Sequence, residues 1–437
     1  MLKKLTHPYR IQQLYALLHQ LLMAGYGFLL LFVLIRILSH HELGRWLLFL
    51  SGISIGDMLL HGLLQTTVIK EVSVLANRLW KIRTTSTNAL IPSLMIYASV
   101  ACILWLVKIS FSIVGMQFEL LNDLAHWYPI LALPMVFYNI SWWVHSGLGN
   151  FRFVFFQRLA LIITTVASLL IFYYLNHSLH FNHVAFSLFI GYALSALAGF
   201  VVASYLRVKL VYVSKNKLKA NFNYGKYTIG TMLGGSLLRN ADTFMIAAFM
   251  SSSAVAIYTL AQKLIEVFEI ILRTAASTSL PILFKMSHDA AAFAQKLVFR
   301  IVSLTVLFTP AAIAVFIFSD QIINLLSGGD PAYQISASIL RIFVVYILLL
   351  PCDRMLGVAL EALNFARLNL FKTLILVGIN LTGNFIALYV FKSLPAVAAV
   401  SSVALIGAII TGILFLKNKV TAPSLKALLQ HLNHGRL

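Results

Sequence analysis

Apolar runs long enough to cross a bilayer recur from residue 11 to residue 416 of this 437-residue chain, with short gaps between them. A helix needs about 20 apolar residues to traverse the hydrocarbon. Backbone groups in lipid must be satisfied within the fold, which leaves helices or closed barrels as spanning elements. At that length the runs place helices at 11–38, 44–69, 86–108, 120–147, 154–175, 184–206, 224–249, 254–284, 297–318, 333–360, 370–391 and 395–416, twelve in all. The expected class is an all-α polytopic membrane protein. Charged residues are 11% of the chain against 60% hydrophobic, and mean hydropathy is +0.90. Soluble domains carry about a quarter charged residues, so a soluble enzyme is excluded.

The net charge of +20 has three ordinary readings, in nucleic acid, anionic lipid or an anionic substrate, and its distribution separates them. With the N-terminus placed in the cytoplasm, 24 of the 33 Lys and Arg residues fall on inside segments and helix ends. Five, Arg36, Arg45, Lys108, Arg341 and Lys392, fall outside. The positive-inside rule then places both termini in the cytoplasm and requires an even number of spans. Most of the basic excess is topological, so no nucleic-acid partner is expected, and the basic stretch Lys215 to Lys226 reads as a loop touching anionic lipid. The run at 11–38 follows Lys3, Lys4 and Arg10 and is nearly twice the length of a secretory h-region, about 7–15 residues; it reads as a retained first span. Cys102 and Cys352 lie inside apolar runs and suggest neither a disulfide framework nor a metal site.

The chain repeats. Ser39-His-His-Glu-Leu-Gly-Arg-Trp46 precedes Ser251-Ser-Ser-Ala-Val-Ala-Ile-Tyr258 by 212 residues, and the same offset carries Asp57 onto Glu269. Asn150-Phe151 with Arg158 matches Asn364-Phe365 with Lys372 at an offset of 214, and the sixth and twelfth helices begin 212 apart, near His183 and Pro395. These offsets predict two six-helix bundles, residues 1–212 and 213–437, joined by a cytoplasmic linker at about 207–223. Six is even, so the halves enter the membrane in the same direction. The expectation is a parallel pseudo-two-fold repeat around a central cavity, working by alternating access.

Four basic residues, Arg239, Lys263, Arg273 and Arg354, lie within expected spans. Each costs about 2.5–3.5 kcal/mol at a helix centre on insertion scales, so each should face protein or water rather than lipid. At helical spacing Lys263, Glu266, Glu269 and Arg273 form one stripe, Arg239 and Asp242 share a face, and Asp353, Arg354 and Glu361 share another. Two readings stand: ion pairs that knit the bundle, or a polar lumen whose basic members hold an anionic headgroup. In the first half Asp57 and His61 lie one turn apart, with His19 on the first helix. That pair is either a hydrogen-bonded contact between helices or a proton-loading site. His177, His180 and His183 in an outer loop lack a Cys or carboxylate neighbour, so no metal site is expected. The phosphate-binding motif Gly-x-x-x-x-Gly-Lys-Ser/Thr is missing, which argues against an ATP-driven pump within this chain.

Arg36-Ile-Leu-Ser-His-His-Glu-Leu-Gly-Arg-Trp46, Arg239-Asn-Ala-Asp242, Ala256-Ile-Tyr-Thr-Leu-Ala-Gln-Lys-Leu264 and Pro281 carry a resemblance that, with the helix count, covers nearly the whole chain. The chain resembles the polysaccharide transporter branch of the multidrug/oligosaccharidyl-lipid/polysaccharide exporter superfamily, which includes O-antigen and exopolysaccharide flippases. Its loose motifs are met except at the last helix, which begins Pro395-Ala-Val-Ala-Ala-Val400 without a Gly-rich start. The resemblance implies a non-enzymatic flippase that moves a polyprenyl-pyrophosphate-linked oligosaccharide across the bacterial cytoplasmic membrane. It implies a cationic cavity supplied by Arg239, Lys263, Arg273 and Arg354; by their own placement Asp57, His61, Asp242, Glu266, Glu269 and Asp353 are the candidates for ion coupling or a cavity polar network. No cofactor is implied; coupling to a proton or a sodium ion is open. Membrane lipids, a glycan polymerase and a chain-length regulator are the partners it suggests. A small-molecule antiporter of the same fold, a membrane glycan polymerase or acyltransferase, and a scaffold for glycan assembly are the competing readings.

Overall fold

The computed structural model describes residues 2–74, 79–115, 118–202, 240–363 and 365–417. Every element among them is helical. In the first unit, Met1–Asn240, lie α1 (Leu2–Ile37), α2 (His40–Leu60), α3 (Thr66–Val74), α4 (Leu79–Ile113), α5 (Glu119–Gly147), α6 (Phe151–Asn176) and α7 (Phe181–Val202). In the second, Ala241–Leu437, lie α8 (240–249, its first residue at the unit boundary), α9 (Ser252–Met286), α10 (Ala290–Ile317), α11 (Ser319–Ser327), α12 (Gln334–Ala362), α13 (Ala366–Tyr389) and α14 (Leu394–Lys417). Eight helical stretches among the described residues are long and apolar enough to cross a membrane. Most of the expected seventh span, and the linker expected at about 207–223, lie outside the described residues.

Local chemistry starts these helices where the chain needs to turn. The Ser39 hydroxyl accepts from the Glu42 amide, the Asn150 side chain from Phe153, and the Asp289 carboxylate from Ala291 and Ala292. Each satisfies amides that the first helical turn leaves open. Pro92, Pro129, Pro134, Pro310 and Pro351 sit inside helices, where neighbouring helices can satisfy the freed carbonyls. The span expected at 44–69 is not uniform: α2 gives way at His61–Gln65 to one π-helical turn before α3. Such a turn inserts an extra residue and re-aims the helix face, an irregularity to which hydropathy is blind.

The two units repeat one packing pattern. In the first, α5 packs on α2, α4 and α7, and α6 packs on α7. In the second, α12 packs on α9, α10 and α14, and α13 packs on α14. The helix ends drift in offset: α2 and α9 start 212 residues apart, α5 and α12 end 215 apart, and α7 and α14 start 213 apart. The 215 offset makes Gln157 the counterpart of Lys372. Gln157 donates to the Tyr138 carbonyl at 3.3 Å, and Lys372 donates to the Asp353 carbonyl at 2.9 Å. A glycine on the last helix of each unit makes room: a Cβ at Gly199 would lie 3.1 Å from Gln157, and one at Gly412 would lie 3.2 Å from Lys372.

Candidate functional site

Each unit carries one intramembrane carboxylate gripped by a phenol and an amide from distant helices. In the first unit Asp57 sits on α2, one turn before the π-helical turn. Its Oδ1 accepts from the Tyr97 hydroxyl on α4 and from Asn139 Nδ2 on α5 at 3.1 Å. His61 Nε2 lies 3.5 Å from Asp57 Oδ2. The His61 ring meets Trp142 and Trp143 edge-on, with centroids at 5.5 and 5.3 Å. The approach of α5 depends on Gly56, where a Cβ would stand 2.4 Å from the Tyr128 hydroxyl.

In the second unit Asp242 on α8 is 7% exposed. Its Oδ2 accepts from the Tyr258 hydroxyl on α9 at 2.9 Å and its Oδ1 from Asn384 Nδ2 on α13 at 2.6 Å. The same Asn384 amide also reaches Asn380 Oδ1 at 3.1 Å. All these partners are neutral. Among the described residues Asp242 has no cationic partner, and Arg239, its neighbour on the expected shared face, lies outside them. The first unit has no such network at the matching place: α1 and α8 end 212 residues apart, which sets buried Leu30 opposite Asp242.

The remaining charges divide between paired and open. Lys263 and Glu266 form an ion pair at 2.5 Å on α9. Asp353 on α12 is bound by Lys372 Nζ at 2.6 Å, with the lysine side chain 4% exposed. Lys372 and Arg158, which sequence position puts at cytoplasmic helix ends, are both buried inside helices. Glu269 is half-buried, while Arg273 and Arg354 are exposed on α9 and α12. Neither arginine has an anionic partner among the described residues.

Sequence reasoning joined Asp57 to His61 and placed Asp242, but it missed Tyr97, Asn139, Tyr258, Asn380 and Asn384. The signal available was a lone Asn in an apolar stretch, since a polar group in hydrocarbon needs a partner. Arg158 lies deeper than its sequence position suggests. It is 9% exposed, its guanidinium lies 5.5 Å over the Tyr138 ring, and its Nε has no hydrogen-bond partner among the described residues.

Three comparisons bear on this architecture. A probable low-salt glycan biosynthesis flippase of Haloferax volcanii is 27% identical over 215 residues, 47% of this chain and 44% of that one; the similarity therefore spans less than half the length of that curated relative. Among solved structures, the lipid II flippase MurJ in an inward-closed conformation matches with a TM-score of 0.70 at 13% identity, covering 93% of this chain and 87% of that one. An inward-facing multidrug resistance MATE family transporter of the MOP superfamily matches with a TM-score of 0.68 at 16% identity, covering 98% and 96%. At these identities the structures share the fold. Residues 12–287, more than half of the sequence, match the family described as polysaccharide biosynthesis protein, and the chain belongs to that family.

Proposed function

We propose that the protein is a flippase for a polyprenyl-pyrophosphate-linked oligosaccharide, an O-antigen, exopolysaccharide or similar repeat unit. It acts in a bacterial cytoplasmic membrane by alternating access, with both termini in the cytoplasm. The observation that carries this reading is the two exposed guanidinium groups, Arg273 on α9 and Arg354 on α12, which have no anionic partner among the described residues. An Arg in a span is costly unless it meets water or an anion. Its planar fork suits a phosphate oxygen pair. Family membership and the likeness to a glycan biosynthesis flippase support the same substrate class. A saccharide pyrophosphate cannot cross about 30 Å of hydrocarbon unaided, whereas its polyprenyl tail can stay in lipid.

The test is lipid-linked glycan sidedness in a deletion strain complemented at matched expression. Wild type returns the glycan to the outer leaflet. Arg273→Ala and Arg354→Ala leave it on the cytoplasmic face, with Arg273→Lys and Arg354→Lys partly restoring transport. Glycan that reaches the outer leaflet in the deletion strain overturns the flippase reading.

Asp242 is the coupling group in this proposal. A carboxylate whose partners among the described residues are all neutral is suited to exchange a proton or a sodium ion. In proteoliposomes Asp242→Asn is expected to transport at a rate independent of imposed sodium or pH gradients. A variant that keeps the gradient response of the wild type removes Asp242 from coupling.

A further inference from the structure

The second unit carries a short helix, α11, that the first unit does not show at the matching place among the described residues. In the first unit α4 ends at Ile113 and α5 begins at Glu119. In the second, α10 has 28 residues against 35 in α4 and ends at Ile317, and the chain between it and the start of α12 at Gln334 forms α11, a Gly328-Gly329 turn and a 3-10 turn at Pro331–Tyr333. Both glycines have positive φ, 71° and 85°, a conformation costly for residues with a Cβ, and they reverse the chain so that α11 packs against α12.

The packing sorts the side chains of α11. Ile323, Leu326 and Ser327 are buried, whereas Asp320 and Asn324, one turn apart, are exposed. Gln334 and Ser338 show the same spacing and exposure on α12. These four polar residues, with Ile323 and Ala337, line a pocket of about 390 Å³. That volume lies within the range of small-molecule sites, about 300–1,000 Å³. Arg341 donates to Asp320 and holds its carboxylate.

We infer that this pocket binds a neutral saccharide unit. Its chemistry disfavours the other ligand classes. The Asp320–Arg341 pair makes the pocket charge-neutral, so neither a free anion nor a free cation finds an uncompensated partner. A purely apolar ligand would strip water from two amides, a hydroxyl and a carboxylate without replacing their hydrogen bonds, which is unfavourable. A sugar ring presents hydroxyls that both donate and accept, and Asn324, Gln334 and Ser338 do the same. The charge asymmetry of the sequence assigns the α10–α12 connection to the outer side, where a flipped glycan would emerge. The source of the sugar, and only that, rests on the proposed flippase function.

The experiment uses the full chain in nanodiscs with saturation-transfer NMR. The probes are glucose, galactose, mannose and N-acetylglucosamine, with glycerophosphocholine as a lipid-headgroup control. At least one sugar is expected to receive saturation, with binding weakened about tenfold in the double variant Asn324→Ala, Gln334→Ala. Ser338→Trp, which fills the pocket from α12, should abolish it. Both variants must stay monodisperse on gel filtration, and Asp320→Asn serves as a second probe of the α11 side. No saturation of any sugar, saturation indifferent to all three variants, or equal binding of glycerophosphocholine overturns the inference. Labelling of Ser338→Cys by an impermeant maleimide in intact cells, slowed by the bound sugar, is the expected result for an outer pocket. Labelling only from the cytoplasmic side overturns that placement. Sugar binding is read without transport, so failure of the pocket and failure of the flippase reading give different results.

Discussion

A guanidinium buried as deeply as Arg158 normally has a carboxylate beside it, and here it has the Tyr138 ring. A cation over an aromatic face recovers about 0.5–2 kcal/mol, less than the several kcal/mol that desolvating an ion costs. Arg158→Met should therefore leave the melting temperature unchanged or raise it, and a Met variant that melts well below wild type would mean that the cation–π contact is holding the bundle. The opposite holds at Gly56. Placing a Cβ 2.4 Å from the Tyr128 hydroxyl forces α2 and α5 apart, and overpacking of this kind costs about 1–3 kcal/mol. Gly56→Ala is expected to lower the melting temperature and to loosen the Asp57–Tyr97–Asn139 contacts; thermal melts of Gly56→Ala in the wild-type and Tyr128→Leu backgrounds check it, since the Tyr128 ring carbons would also lie within 3.0 Å of the new Cβ and the loss should be smaller once the ring is gone.

Between elements, the repeat uses one position for two kinds of bond. Gln157 ties α6 to α5 through a neutral hydrogen bond, while Lys372 ties α13 to α12 through a buried ion pair. Deleting one partner of a neutral pair costs about 1–3 kcal/mol, whereas breaking a buried ion pair costs about 3–5 kcal/mol. Lys372→Met should therefore destabilise the protein more than Gln157→Leu, and Lys372→Met combined with Asp353→Leu should recover stability because the stranded carboxylate is gone. Denaturant titrations of the four proteins in detergent test the order; equal losses would show that Lys372 is not a structural tie. Helices α6 and α13 start 215 residues apart, which aligns Lys372 with Gln157, whereas the Asn-Phe match at 214 aligns it with Arg158.

At the scale of the molecule the charge distribution makes a topological prediction. Reporter fusions at residue 330 should behave as extracytoplasmic, with active alkaline phosphatase, and fusions after residue 417 as cytoplasmic, with a fluorescent protein. Reversed signals would overturn the orientation on which the outer pocket is placed. The helical class and the repeated bundles were legible because transfer into hydrocarbon is nearly a sum over consecutive residues, and a sum along the chain needs no knowledge of its neighbours. The stripe Lys263, Glu266, Glu269, Arg273 was legible for the same reason, as helical spacing is local. The carboxylate networks were not. Asn139 is 82 residues from Asp57 and Asn384 is 142 from Asp242, and nothing in a local pattern says which helices will touch. The sequence by itself determined that this chain fills a membrane with helices in two similar halves, because apolar length and charge bias act residue by residue. Only the tertiary structure decided which polar groups are partnered and which are left open, because hydrogen bonds form between helices whose adjacency is fixed by packing.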